Sequence, residues 1–116
     1  MKELWSEYSA AWSTPDKVAR HKILEKRLTP DVQYADPESE TSGYEELSDY
    51  MENFQRGYPG RRFVVSEIIA HHNGCLVHWT MQNGQSEVEM AGASYAELAA
   101  DGRLRRIRGF FGSASA

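Results

Sequence analysis

Asp36 closes a strand-like run and stands directly before Pro37 in the stretch VQYADPESETSGYEELSDYM, residues 32–51. A carboxylate set between apolar surfaces loses hydration. Its charged form is then disfavoured, which suits a general base at the mouth of a pocket. Asp-Pro is also a common turn pair, and a turn residue is the other reading of Asp36. The histidines offer less. His71 and His72 are adjacent beside a turn, so strand alternation sets them on opposite faces and denies them a shared metal, although His72 could reach a cavity rim as an acid or base. His78 has Glu89 as its expected partner, but a third ligand at convincing spacing is missing, and no metal site is expected. His21 falls on a helix, in solvent. Cys75 is the only cysteine, which excludes an intrachain disulfide and a thiolate cluster. No serine stands in a G-x-S-x-G elbow and no glycine-rich loop cradles a phosphate.

The chain that must position these residues has 116 of them, enough for one domain with its own core. Net charge is -4 without a basic block, so nucleic acid is not an expected partner. No apolar run approaches the ~18 residues of a membrane span. The N-terminal MKELWSEYSAAW lacks the unbroken apolar core of a signal peptide. A soluble cytoplasmic protein is expected, with one domain over 1–112 and a flexible tail at 113–116.

The first half has helical spacing. Trp5, Tyr8 and Trp12 fall at i, i+3 and i+7 of a helix over 2–12. Ser13-Thr14-Pro15-Asp16 ends it and starts a second helix, with Pro15 suited to the first turn. That helix runs to about Leu28 and is expected to bury Val18, Leu24 and Leu28. Thr29-Pro30-Asp31 stops it, and a short strand follows from Val32 to Ala35. Ser42 and Glu45 form a capping-box pattern for a third helix carrying Tyr44, Leu47, Met51, Phe54 and Tyr58, closed by Pro59-Gly60.

The second half changes period. Asn73-Gly74, Asn83-Gly84 and Asp101-Gly102 are hairpin pairs that ask for type I′ turns, and they divide it into strands near 62–72, 75–82, 85–100 and 103–111. Ideal two-residue turns pair Ile68 with Trp79, Met81 with Ser86, and Ser94 with Gly109. One face then collects Ile68, Val77, Trp79, Met81, Val88, Met90, Ser94, Ile107 and Phe111. The helices should cover this face and leave a cone with an open end. Trp5, Trp12, Trp79, Met90 and Phe111 would wall its interior. The other face is polar, with Glu97 opposite Arg106 as a cross-strand ion pair. It also carries Leu76, Tyr95 and Phe110, and is the expected surface of a homodimer.

The order of elements, with EYSAAWSTPD, VQYADP, SGYEEL, HHNGC and DGRLRRIRGFF in sequence, resembles the nuclear transport factor 2-like superfamily, which includes ketosteroid isomerase and the SnoaL-like polyketide cyclases. The resemblance implies an α+β fold: a cone-shaped, curved antiparallel sheet with three N-terminal helices packed on its concave face. It implies cofactor-free acid–base chemistry on a hydrophobic small molecule, with Asp36 at the position of the isomerase's general base and Tyr8 at that of its oxyanion-hole tyrosine. The isomerase's second acid falls on Ser94, a hydroxyl and a weaker donor, with Tyr95 beside it. Pocket positions of the last strand fall on Ile107, Gly109 and Phe111. A binding module without turnover, or a dimerising domain with a filled cone, is the alternative. A hollow cone with Asp36 facing inward distinguishes a ligand site from the latter.

Overall fold

The computed structural model describes residues 1–112, and the tail expected at 113–116 lies outside them. Three helices, α1 (Lys2–Ala11), α2 (Lys17–Arg27) and α3 (Gly43–Gly57), accompany six strands: β1 (Leu28–Asp36), β2 (Ser39–Ser42), β3 (Arg62–His71), β4 (Gly74–Gln82), β5 (Val88–Leu98) and β6 (Leu104–Phe111). The sheet is curved and unclosed, in the order β2-β1-β6-β5-β4-β3, and the helices lie on its concave face, α1 against β3 and α3 against β1. The expectation of a wholly antiparallel sheet needs correcting. β1 and β6 are parallel, while every other neighbouring pair is antiparallel. The cause is α3, which carries the chain from β2 at one edge to β3 at the other. The meander then returns and ends beside β1. No helix among the described residues is long and apolar enough to cross a membrane.

Local chemistry explains the element ends, and several differ from expectation. Asp16 caps α2 by accepting from the Ala19 N–H at 3.0 Å, so Pro15 precedes the cap instead of occupying the first turn. The buried stripe of α2 is Arg20 and Leu24, one turn apart, while Val18 points away and is 63% exposed. Arg20 is fully buried. Its Nε donates to Ser48 Oγ at 2.8 Å, one Nη to the Thr14 carbonyl at 2.8 Å, and the other reaches Glu52 at 3.4 Å. This single side chain ties α2 to α3 and to the α1–α2 turn.

β1 runs straight through Thr29-Pro30-Asp31, because the register against β6 shifts between Leu28 and Gln33 and the proline falls in that irregular stretch. β2 was not foreseen. Asp36 pairs with Ser39 across a tight turn, and the polar Ser39–Ser42 segment makes an edge strand. The capping box is also rearranged. The Ser42 N–H donates to Glu46 Oε1 at 2.9 Å and its hydroxyl donates to Gln33, while Glu45 binds Lys17.

Of the three hairpin glycines only Gly102 has positive φ, at 87°. The β3–β4 turn is made by His72, with φ 53°, and Asn73, and Gly74 is paired with His71. The β4–β5 connection is a longer loop in which Asn83 Oδ1 accepts from the Gln85 and Glu87 N–H groups. Registers therefore slide: Ile68 meets Val77, and Met81 meets Met90, whereas Ser94 meets Gly109 as expected. A slide by an even number of residues leaves every side chain on its own face. The inward set thus survives, except at Val88, which lies past a bulge and is 60% exposed; a second bulge, between Val65 and Glu67, adds Phe63 and Val65 to the inward face. Leu24, Leu28, Val32, Leu47, Met51, Val77, Leu104 and Ile107 form a close-packed aliphatic core.

Candidate ligand cavity

Between α1, α3 and the concave sheet lies a cavity of about 580 Å³. α1 contributes Trp5 and Tyr8, and its C-cap contributes Trp12, the stripe that helical spacing places on one face. α3 contributes Tyr50 and Phe54. The sheet contributes Tyr34 and Asp36 from β1, Phe63 and Val65 from β3, and Trp79, Met90, Ser94, Gly109 and Phe111 from the later strands. Trp12 is the hub of the wall. Its ring centroid lies 5.5 Å from Tyr34, tilted by 50°, and it meets Tyr50 at 5.7 Å and both Phe54 and Phe63 at 5.8 Å edge to face. Rings held edge to face brace one another while leaving space between them. Gly92 makes room for Trp79: a Cβ there would lie 2.5 Å from the indole.

Both readings of Asp36 hold geometrically. As a turn residue, its Oδ1 accepts from the Glu38 N–H at 2.8 Å and the Ser39 N–H at 3.0 Å. As a cavity residue, its Oδ2 accepts from the Tyr34 hydroxyl at 2.6 Å and the Tyr50 hydroxyl at 2.9 Å. Strand alternation sets Tyr34, two residues earlier, on the same face, and α3 lowers Tyr50 from above. β6 passes close by at Gly109, where a Cβ would rest in ordinary van der Waals contact, 3.5 Å from that of Asp36. Arg105, on β6, binds Glu97 at 2.7 Å. Glu97 does stand opposite Arg106 in register, yet its ion pair is with Arg105.

The remaining expected residues divide. Tyr8, Ser94, Trp5, Trp12, Trp79, Met90 and Phe111 all line the cavity with Asp36. Ile107 does not. It is buried one residue pair below Gly109, in the aliphatic core, because the cavity begins only where glycine replaces a side chain on β6. Ser94 Oγ accepts from the Trp79 indole N–H at 3.1 Å, which leaves its own proton to donate. Burial, above all, pushes the phenols of Tyr8, Tyr34 and Tyr50 well above the usual tyrosine range, and the Asp36 charge adds to this, so all three stay protonated. Burial likewise raises the Cys75 thiol and keeps it out of nucleophilic chemistry.

Tyr34, Tyr50, Phe54, Phe63 and Val65 are among the wall residues that sequence reasoning missed. Two signals were present: the two-residue spacing of Tyr34 and Asp36, and the helical spacing of Leu47, Tyr50 and Phe54. The histidines also differ from expectation. His72 leaves the strand with positive φ, and its Nδ1 comes within 3.1 Å of that of His71. His78 lacks its expected partner, since Glu89 binds Arg61 at 2.8 Å. No cluster of three potential metal ligands occurs among the described residues.

Three helices on a curved, open sheet around an apolar hollow define the cone-shaped nuclear transport factor 2-like class. The chain belongs to the SnoaL-like domain family, whose model matches residues 5–107. Among solved structures it is similar to a proposed isomerase of the SnoaL-like family from Agrobacterium tumefaciens, with 22% identity, a TM-score of 0.87 and 96% of each chain covered. It is similar to a proposed ketosteroid isomerase from Kribbella flavida at 19% identity and a TM-score of 0.71, over 99% of this chain and 79% of that one. A proposed polyketide cyclase from Sinorhizobium meliloti shares 15% identity over 94% of each chain, with a TM-score of 0.74. At such identities the likeness is one of fold. No curated protein matches this chain in sequence.

Proposed function

We propose that the chain binds a hydrophobic small molecule in this cavity and performs cofactor-free proton transfer on a carbonyl group of it. One observation carries the reading: Asp36 forms part of the wall of an aromatic cavity of about 580 Å³, together with Tyr8 and Ser94. That volume suits a ligand of ordinary metabolite size. Asp36 takes a proton from the carbon beside the carbonyl. Tyr8 and Ser94 donate hydrogen bonds to the oxygen that gains charge, and Asp36 returns the proton to another carbon. Burial keeps Tyr8 a neutral donor throughout.

A second reading, binding without turnover, is favoured by the occupancy of Asp36. Two phenols and two backbone N–H groups already use its lone pairs. A base needs one lone pair free, and releasing a hydrogen bond to a charged group costs about 1.5–3 kcal/mol. Proton abstraction therefore requires Tyr34 or Tyr50 to let go as the ligand enters. The test is proton–deuterium exchange beside the carbonyl of bound cyclic ketones in deuterated buffer, followed by proton NMR. Exchange that falls about 100-fold or more in Asp36→Asn supports proton transfer. Ketones that quench tryptophan fluorescence without exchanging leave the protein a binding module.

We also infer that two copies pair through the outer face of the sheet, where Leu76, Tyr95 and Phe110 are exposed among charged residues.

A further inference from the structure

The cavity carries charge of one sign. Asp36, Glu38 and Glu89 contribute to its lining, and among the described residues no lysine, arginine or histidine does. Glu89 is matched at the rim by Arg61, and Glu38 sits on the exposed β1–β2 turn. Asp36 is thus the unmatched charge facing the interior. Its hydrogen-bond partners are all neutral. They hold the negative charge in place without cancelling it. Tyr34 and Tyr50 spend their protons on Asp36, so toward the cavity their oxygens can only accept. The aromatic walls act in the same sense, since a ring face attracts a cation.

We propose that the cavity selects protonated hydrophobic amines and rejects carboxylates of the same shape. This rests on the reading of the cavity as a ligand site and names the class of ligand. The apolar body fills the space framed by Trp12, Phe54 and Phe63. The ammonium donates to the Tyr34 and Tyr50 oxygens and lies in the field of Asp36. A carboxylate in that place meets Asp36 with no cation to offset the repulsion. A neutral alcohol keeps the apolar contacts and loses the charge. If turnover occurs, the carbonyl substrate is one that carries an amino group.

All three tryptophans of the chain, Trp5, Trp12 and Trp79, line the cavity, so intrinsic fluorescence reports its occupancy. The experiment titrates the wild-type protein at neutral pH with three ligands sharing one ring: 2-naphthylmethylamine, 2-naphthylmethanol and 2-naphthoate. The amine is expected to bind about tenfold more tightly than the alcohol, and the naphthoate more weakly than both. Equal binding of amine and alcohol, or tightest binding of the naphthoate, overturns the inference and leaves the cavity a ligand site. No binding by any of the three overturns both. Asp36→Asn is expected to reduce amine binding to the level of the alcohol, and a preference that survives the substitution overturns the assignment to Asp36. The wild-type series decides the selectivity whether or not that variant folds.

Discussion

The two ends of the cone are built from different residues and do opposite things with space. At the filled end, Leu24, Leu28, Val32, Leu47, Leu104 and Ile107 interdigitate until no side chain among them is more than 1% exposed. At the hollow end, Trp12, Tyr34, Tyr50, Phe54 and Phe63 meet ring to ring and frame about 580 Å³ of empty volume. Branched aliphatic chains can fill irregular gaps by rotation about their bonds. A planar ring has one shape to offer, and rings propped edge against face behave as an arch. Polar groups follow the same division. The buried cation, Arg20, holds helix to helix, whereas the carboxylate that faces the hollow, Asp36, is held by phenols and turn amides.

The sharpest way to break this contrast is to truncate one residue at each end. Leu47→Ala should cost about 3–4 kcal/mol in urea unfolding, because it opens a void in a closed core. Phe54→Ala borders space that already exists and should cost less than half as much. Equal costs would show that the hollow end is packed after all. Overfilling is the next largest effect. Gly92→Ala places a methyl 2.5 Å from the Trp79 ring and 2.7 Å from the Phe110 carbonyl, and should cost about 1–3 kcal/mol while shifting tryptophan fluorescence. An unchanged emission spectrum would mean that Trp79 does not rest on Gly92.

Tyr50→Phe removes one donor from Asp36 and should cost about 1.5 kcal/mol near neutral pH. It also tests a pH dependence of definite sign. The Tyr8, Tyr34 and Tyr50 phenols are raised in the folded chain, by burial first, from an ordinary value of 10.0. Their stabilisation is therefore complete below pH 10.0 and is lost as pH rises above it, because the unfolded chain ionises first. Unfolding free energy measured from pH 8 to pH ~11 should fall less steeply in Tyr50→Phe than in wild type. The smallest energetic effect is expected on the outer face. Phe110→Ser should change stability by under ~0.5 kcal/mol while converting a dimer to a monomer in light scattering. A wild-type protein that scatters as a monomer removes the proposed dimer.

Face assignment was the most legible part of the fold. Near their turns the β3–β4 and β4–β5 registers lie two and four residues from those ideal turns would give, yet Val77, Trp79, Met81 and Met90 still point inward, while the bulge between Val65 and Glu67 turns Phe63 and Val65 inward as well. A face depends only on whether the slide is odd or even. Val88 was misjudged because the loop at Asn83 is longer than a two-residue turn and a bulge follows it. Arg20 was overlooked because a charged residue on a helix normally faces water. Only Ser48, Glu52 and the Thr14 carbonyl, brought from elsewhere in the chain, make its burial tolerable. In the cavity, the α1 stripe and Asp36 were readable, whereas the helical spacing of Tyr50 pointed to Asp36 only once α3 was known to cross above β1.

By itself the sequence determined what nearest neighbours along the chain control: helical and strand periods, the order of the helices and of the meander strands, and the placement of Asp36 at the end of a strand two residues after Tyr34. These follow from steric preferences that act over a few residues. Tertiary structure alone decided that β6 lies parallel to β1, that Ile107 is core while Phe111 is wall, and that Asp36 is held by Tyr34 and Tyr50 in a cavity lined, among the described residues, by no lysine, arginine or histidine. Each of these depends on distances between segments far apart in the chain. Whether a cone of inward-facing residues closes or stays hollow depends on the volumes and shapes that meet across it, and no local pattern records that sum.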